Sequence, residues 1–266
     1  MGNVTSSATD QSELLKIEQS GTVLTVGLNR PAKRNALNDG IILAIQDCFS
    51  NIPDSVGSVV IHGIGDHFSS GLDLSELTER DATEGLVHSQ MWHRVFDRIQ
   101  YSRVPVIAAL KGAVIGGGLE LACAAHIRVA EPSAYFALPE GQRGIFVGGG
   151  GSVRLPRLIG VARMTDMMLT GRVYSATEGA AYGFSQYLTE DGGALSKAME
   201  LAERVASNAP LTNFAVLQAL PMIAEANPQA GLLMESLMAT VAQSDKEAKR
   251  RIRDFLDRKT AKVKPS

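Results

Sequence analysis

Cysteine is scarce in this chain: Cys48 and Cys123 are the whole complement of 266 residues. Two such thiols can build neither a disulfide framework nor a multi-thiolate metal site. They fit buried free thiols, so a reducing, cytoplasmic location is expected. Excess charge of one sign is also lacking, since 26 Lys+Arg against 28 Asp+Glu leave a net charge of -2. Without a bulk field there is no electrostatic hold on nucleic acid or an anionic membrane surface, and neither is an expected partner. The five histidines, His62, His67, His88, His93 and His126, form no HxxxH or Cys/His cluster, so no metal is expected. Residues 1–11 are polar and carry no basic-then-apolar signal pattern, which reads as a disordered leader. MGNVTS fits a myristoylation pattern, but no second membrane signal accompanies it.

Several site motifs are missing as well. A dinucleotide fingerprint starting at Gly116 meets Leu121 where its last glycine belongs, and one starting at Gly148 meets Val153. There is no GxxxxGK[ST] phosphate loop, and no GxSxG elbow to present a nucleophilic serine. The long apolar run from Val104 to Ala125 is interrupted by Pro105, Lys111, three consecutive glycines and Glu120. Charges near a helix centre cost roughly 2.5–3.5 kcal/mol each on insertion into a bilayer, so the run divides instead into a buried strand, a glycine turn and a buried helix.

With 45% hydrophobic residues, the chain can bury a large core, and its length predicts one domain with an extension. Leu14 to Gln19 and Thr22 to Leu28 read as a hairpin, and Asn38 caps an amphipathic helix carrying Ile41, Ile42, Ile45 and Phe49. Strands are expected at Ser58–His62, Pro105–Leu110, Ile127–Ala130 and Tyr135–Ala137, alternating with helices over Glu84–Tyr101 and from Gly116. Beyond Val161 the pattern is helical, ending in helices near Gln229–Gln243 and Lys246–Lys262. This alternation predicts an α/β domain.

The informative feature is Glu120, a carboxylate in the apolar setting Leu119, Leu121, Ala122 and Cys123. A buried carboxylate must shift its pKa or find partners, here backbone groups or Arg128. It lies three residues after Gly117, close to one helical turn, so its carboxylate faces the same side as the first unpaired N–H groups of the helix. Such donors aimed at an oxygen that gains charge form an oxyanion hole. GAVIGGGLELACAAHIRVA, Glu140 in ALPEGQRGI, GGGGSVRLPRLIG and LTGRVYSATEGAAYGF stand here in order. Together they resemble the crotonase superfamily, the enoyl-CoA hydratase/isomerase family, from about residue 14 to FLDRK at 255–259.

The resemblance implies a crotonase-like α/β spiral of β-β-α units over residues 12–195. It also implies a helical region over 196–266 that covers the active site and joins subunits as a homotrimer or homohexamer. The expected substrate is an acyl-CoA thioester, with coenzyme A part of the substrate and no separate cofactor. By the same resemblance, the backbone amides of Leu72 and Gly117 hold the thioester oxygen, and Glu120 and Glu140 are the acid/base pair, with Glu140 handling the C2 proton. Lys33, Arg34, Asp73, Leu74, Ser75 and Arg258 are expected along the coenzyme. Hydration of a 2,3-double bond is the favoured reaction. Double-bond isomerisation, hydration coupled to carbon–carbon cleavage, and acyl-CoA binding without turnover are the alternatives. The chain departs from the family pattern at Ser75, where many relatives carry lysine, and at Val147, where a proline is common. Lys111, His126 and Arg250-Arg251 also differ from the usual residues, and Phe146 with Val147 bears on acyl selectivity.

Overall fold

The computed structural model describes residues 13–76 and 79–257. Its first unit runs to Ala206 and is organised on two sheets. Strands β1 (Leu15–Ser20) and β2 (Val23–Leu28) form the expected antiparallel hairpin. Helix α1 (Asp39–Ser50) follows, capped by Asn38, whose side chain accepts from the Ile41 amide at 3.0 Å. Then come β3 (Ser58–Gly63), α2 (Ala82–Gln100) with a capping box from Asp81 and Glu84, and β4 (Val106–Leu110).

From here the chain deals strands in pairs. β4 is followed by β5 (Ala113–Ile115) and helix α3 (Gly117–Ala124), and β6 (Ile127–Ala130) by β7 (Tyr135–Ala137) and helices α4 (Gly151–Ile159) and α5 (Val161–Thr170). The two-residue strand β8 (Tyr174–Ser175), helix α6 (Ala176–Tyr182), the two-residue strand β9 (Tyr187–Leu188) and helix α7 (Ala194–Ala206) complete the unit. One strand of each pair joins the larger sheet, ordered β1-β2-β3-β4-β6-β9, and the other joins the smaller, ordered β5-β7-β8. Every ladder of the larger sheet beyond the hairpin is parallel. This is the β-β-α spiral, and the sequence reading missed β5, which lay inside the segment read as a glycine turn.

Parallel strands covered on both faces read as continuous apolar runs, and their alternate residues go to different layers. Val59, Ile61, Val106, Ala108 and Leu110 enter the main core with Ile41, Ile45, Val95, Phe96 and Leu121. The intervening Val60, Ile107, Ala109 and Val129 pack with Ala194, Ala198, Leu201 and Ala202 of α7. Helix α7 therefore belongs to the α/β unit, and the boundary expected after residue 195 falls inside it; the units divide after Ala206. The second unit comprises α8 (Pro210–Phe214), a π-helical turn (Ala215–Ala219), α9 (Leu220–Glu225), α10 (Pro228–Ser244) and α11 (Lys246–Leu256). The last helix is described to Leu256, and the expected end at Lys262 lies outside the described residues, as does Arg258. Among the described residues, no helix is long and apolar enough to cross a membrane.

Candidate active site

The turn between β5 and α3 is built on Gly116, which has φ +52, a conformation that side-chain-bearing residues rarely adopt. A Cβ there would also lie 2.5 Å from Glu140 Oε1, so the glycine lets that carboxylate approach the turn. Gly117 then opens α3. Across from it, Gly71 (φ +86) leads into Leu72, which bridges Leu37. The two segments lie close together: a Cβ on Gly71 would stand 3.2 Å from Gly117 N, and one on Gly117 would stand 3.6 Å from Leu72 N. Among the described residues, neither the Leu72 nor the Gly117 N–H donates a hydrogen bond within the protein. Two adjacent free donors at a helix start form a ready site for an oxygen carrying negative charge.

Both glutamates line the same cavity of about 460 Å³, together with Leu72 and Gly117. Glu120 is 4% exposed, and its Oε1 accepts from the amides of Gly149 at 2.8 Å and Gly151 at 2.7 Å. Arg128, one of the partners the sequence allowed, is instead occupied by the carbonyls of Ala125 (2.6 Å) and Phe184 (2.9 Å). Glu140 is 8% exposed, and its Oε2 is buried with no hydrogen-bond partner among the described residues. Its environment is correspondingly different. Burial raises the Glu140 carboxyl to about 7, with the Glu120 charge pushing the same way and Arg143 opposing. Burial also raises Glu120, but the Gly151 and Gly149 amides and the Arg154 charge pull it back. One carboxylate is tethered by two amides of another segment and the other has a buried oxygen without a partner among the described residues, a difference in setting that separates the roles of paired carboxyls.

The residues expected along a coenzyme are less uniform. Asp73 is buried and paired with Arg30 at 2.9 Å and Lys33 at 3.0 Å, and it accepts from the Ser75 hydroxyl at 2.6 Å. The Ser75 bond, aided by Lys33 and Arg30, holds its carboxyl well below the usual carboxylate range against the effect of burial. Lys33 also donates to Ser75 Oγ at 3.0 Å, so Lys33, Asp73 and Ser75 form one cluster braced by Arg30. Arg34 is exposed in a left-handed turn (φ 51), and Leu74 is 45% exposed.

Trp92, Arg143 and Ile145 are among the cavity residues that escaped the sequence reading. Trp92 places its six-membered ring beside Gly117, where a Cβ would meet Cζ3 at 2.9 Å, and its buried Nε1 has no partner among the described residues. Arg143 and Ile145 sit on the rim with Phe146, which is 68% exposed. Of these, Trp92 carried only the signal of an apolar position on a helix.

The chain matches the model of the enoyl-CoA hydratase/isomerase family over residues 18–265 and belongs to that family. Within it, the chain is 34% identical over 257 residues to a 2,3-dehydroadipyl-CoA hydratase of Escherichia coli, covering 95% of this chain and 99% of that protein. It is also 34% identical to a short-chain-enoyl-CoA hydratase of Clostridium acetobutylicum over 73% of this chain and 76% of that one. A crystal structure of a provisionally named enoyl-CoA hydratase from Rhodopseudomonas palustris superposes with a TM-score of 0.91 at 81% identity, covering 94% of this chain and 97% of that one. An enoyl-CoA hydratase from Thermoplasma volcanium superposes at 0.86 with 30% identity over 92% and 98%.

Proposed function

We propose that this protein is an enoyl-CoA hydratase that adds water reversibly across the 2,3-double bond of an acyl-CoA thioester. The observation that carries this reading is the asymmetric carboxyl pair, Glu120 and Glu140, lining one cavity with the free Leu72 and Gly117 amides. The thioester oxygen accepts from these two amides, which withdraw electron density from C3. Glu120, held through Oε1, uses Oε2 to take a proton from water as its oxygen attacks C3. Negative charge then moves to the thioester oxygen, where each such donor contributes about 2.7–4 kcal/mol of transition-state stabilisation. Glu140, protonated at pH below about 7, delivers its proton to C2. Proton return from Glu120 to Glu140 through solvent restores the pair, and the reverse sequence expels water.

Lys33, Arg34, Asp73, Leu74 and Ser75 line the approach of the coenzyme in this reading, with Arg258 adding charge. The exposed Arg34 suits a phosphate best, because Lys33 is shared with Asp73 and Ser75. No cofactor beyond the substrate's coenzyme A is required. The enzyme works in the cytoplasm, consistent with its two free thiols, as a homotrimer or homohexamer. The exposed Leu232, Leu233 and Leu237 of α10 support burial of that helix against another subunit.

The reading is tested by following loss of the conjugated-thioester absorbance with short, long and aromatic 2-enoyl-CoAs, while 3-enoyl-CoAs report isomerisation. Turnover of at least one 2-enoyl-CoA to a 3-hydroxyacyl-CoA is expected. Acyl-CoA binding without hydration of any of them would overturn the proposal.

A further inference from the structure

The amides that hold Glu120 come from a glycine turn, and a run of glycines has no intrinsic reason to keep two N–H groups aimed at one oxygen. Something outside the turn must hold it. Arg154, 8% exposed in the first turns of α4, donates from Nη1 to Gly149 O at 3.0 Å, from Nε to Gln100 Oε1 at 2.6 Å and from Nη2 to Asp97 Oδ1 at 2.5 Å. Ser89 Oγ adds a bond to Gly148 O at 2.7 Å. Ser89, Asp97 and Gln100 all lie on α2, so this helix and Arg154 grip the turn by its carbonyls while its amides face Glu120.

We propose that Arg154 is a positioning residue for the base: it clamps the 148–151 turn so that the Gly149 and Gly151 amides hold the Glu120 carboxylate in the orientation and charge state the reaction uses. The proposal rests on the hydratase reading above. The guanidinium suits this task because its planar fork reaches a carbonyl, an amide oxygen and a carboxylate at once, which an ammonium cannot do. Its positive charge also favours ionised Glu120. Among the described residues, Glu140 and Cys123 stand near Glu120, His93 and Asp97 near the turn and Arg154, and Arg143 near Glu140.

The test uses full-length Arg154→Met, Arg154→Lys and Asp97→Asn enzymes, read by kcat, KM and pH profile. An independent readout is the ¹³C titration of the Glu120 carboxyl, assigned by its loss in Glu120→Gln. Arg154→Met should lower kcat on the order of 100-fold with little change in KM, as expected for a misplaced reacting group. It should also raise the Glu120 titration and the acid limb of the profile by about one pH unit. Arg154→Lys should restore the titration but not kcat. Asp97→Asn, which leaves the guanidinium charge uncompensated, should move the titration the opposite way, downward. A Glu120 titration unmoved in Arg154→Met, or moved in the same direction by Arg154→Met and Asp97→Asn, would overturn the proposal. If Arg154→Met fails to fold, the lysine and Asp97 variants decide it. Absence of wild-type turnover would instead defeat the hydratase reading, and the titration would still report on the clamp.

Discussion

Replacing Glu140 by glutamine removes a buried carboxyl that the fold prefers protonated, and the consequence for stability can be worked out with its sign. The Glu140 carboxyl rises from an ordinary 4.5 to about 7 in the folded protein. Between those values the folded state binds more protons than the unfolded chain, so unfolding free energy falls as pH rises through this window and stays low above it. The difference corresponds to about 3 kcal/mol at roughly 1.4 kcal/mol per pH unit, and partial solvent access at the cavity reduces it to about 1–2 kcal/mol. Glutamine keeps the shape and loses the titration. Urea unfolding of wild type and Glu140→Gln at a series of pH values should therefore give curves that diverge. The variant should gain about 1–2 kcal/mol relative to wild type between pH near 4.5 and pH above 7, and its advantage should appear on the alkaline side. Parallel curves would refute the claim that the protein holds Glu140 as a neutral acid.

The same geometry sets other expectations. Arg143→Gln removes a charge that favours ionised Glu140, so the alkaline limb of kcat/KM should move to higher pH, as read from a pH–rate profile. A backbone ester at position 72 deletes an N–H that bonds nothing else in the described residues, so kcat should fall about 10²–10³-fold with stability unchanged in thermal melts. Gly116→Ala puts a Cβ 2.5 Å from Glu140 Oε1 at a positive φ, and it should cost activity at least on the order of 100-fold while leaving the sheet intact by circular dichroism. Leu201→Ala, in the layer between α7 and the larger sheet, should cost about 2–5 kcal/mol in chemical denaturation without moving the pH profile.

Much of this was legible in the sequence, for physical reasons. Strands β3 and β4 announced themselves as apolar runs because both faces are covered, and Asn38 marked a helix start because only a few side chains cap one. Glu120 stood out because a charge in Leu-Leu-Ala-Cys surroundings needs a reason. What the residues could not supply was the partner. The amides of Gly149 and Gly151 carry no side-chain signature, so nothing local marks them as donors to Glu120. Arg154 carries no local mark of its bond to the Gly149 carbonyl, which only the folded turn brings to it. The ion pairs of Asp73 with Arg30 and Lys33 join segments distant in sequence, and no local pattern foretells them. The α7 boundary was missed because the helix alone does not say which sheet face it covers.

The central claim is that Glu120 and Glu140 act on opposite ends of one hydration, the first on water and the second on the C2 proton. The most direct test incubates the enzyme with a 3-hydroxyacyl-CoA in deuterated water and measures C2 deuterium by mass spectrometry alongside net turnover, in wild type, Glu120→Gln and Glu140→Gln. Wild type should incorporate deuterium at C2 through reversible hydration, and each variant should lose turnover by about 10²-fold or more with KM little changed. A Glu140→Gln enzyme that kept full turnover and full C2 labelling would contradict it.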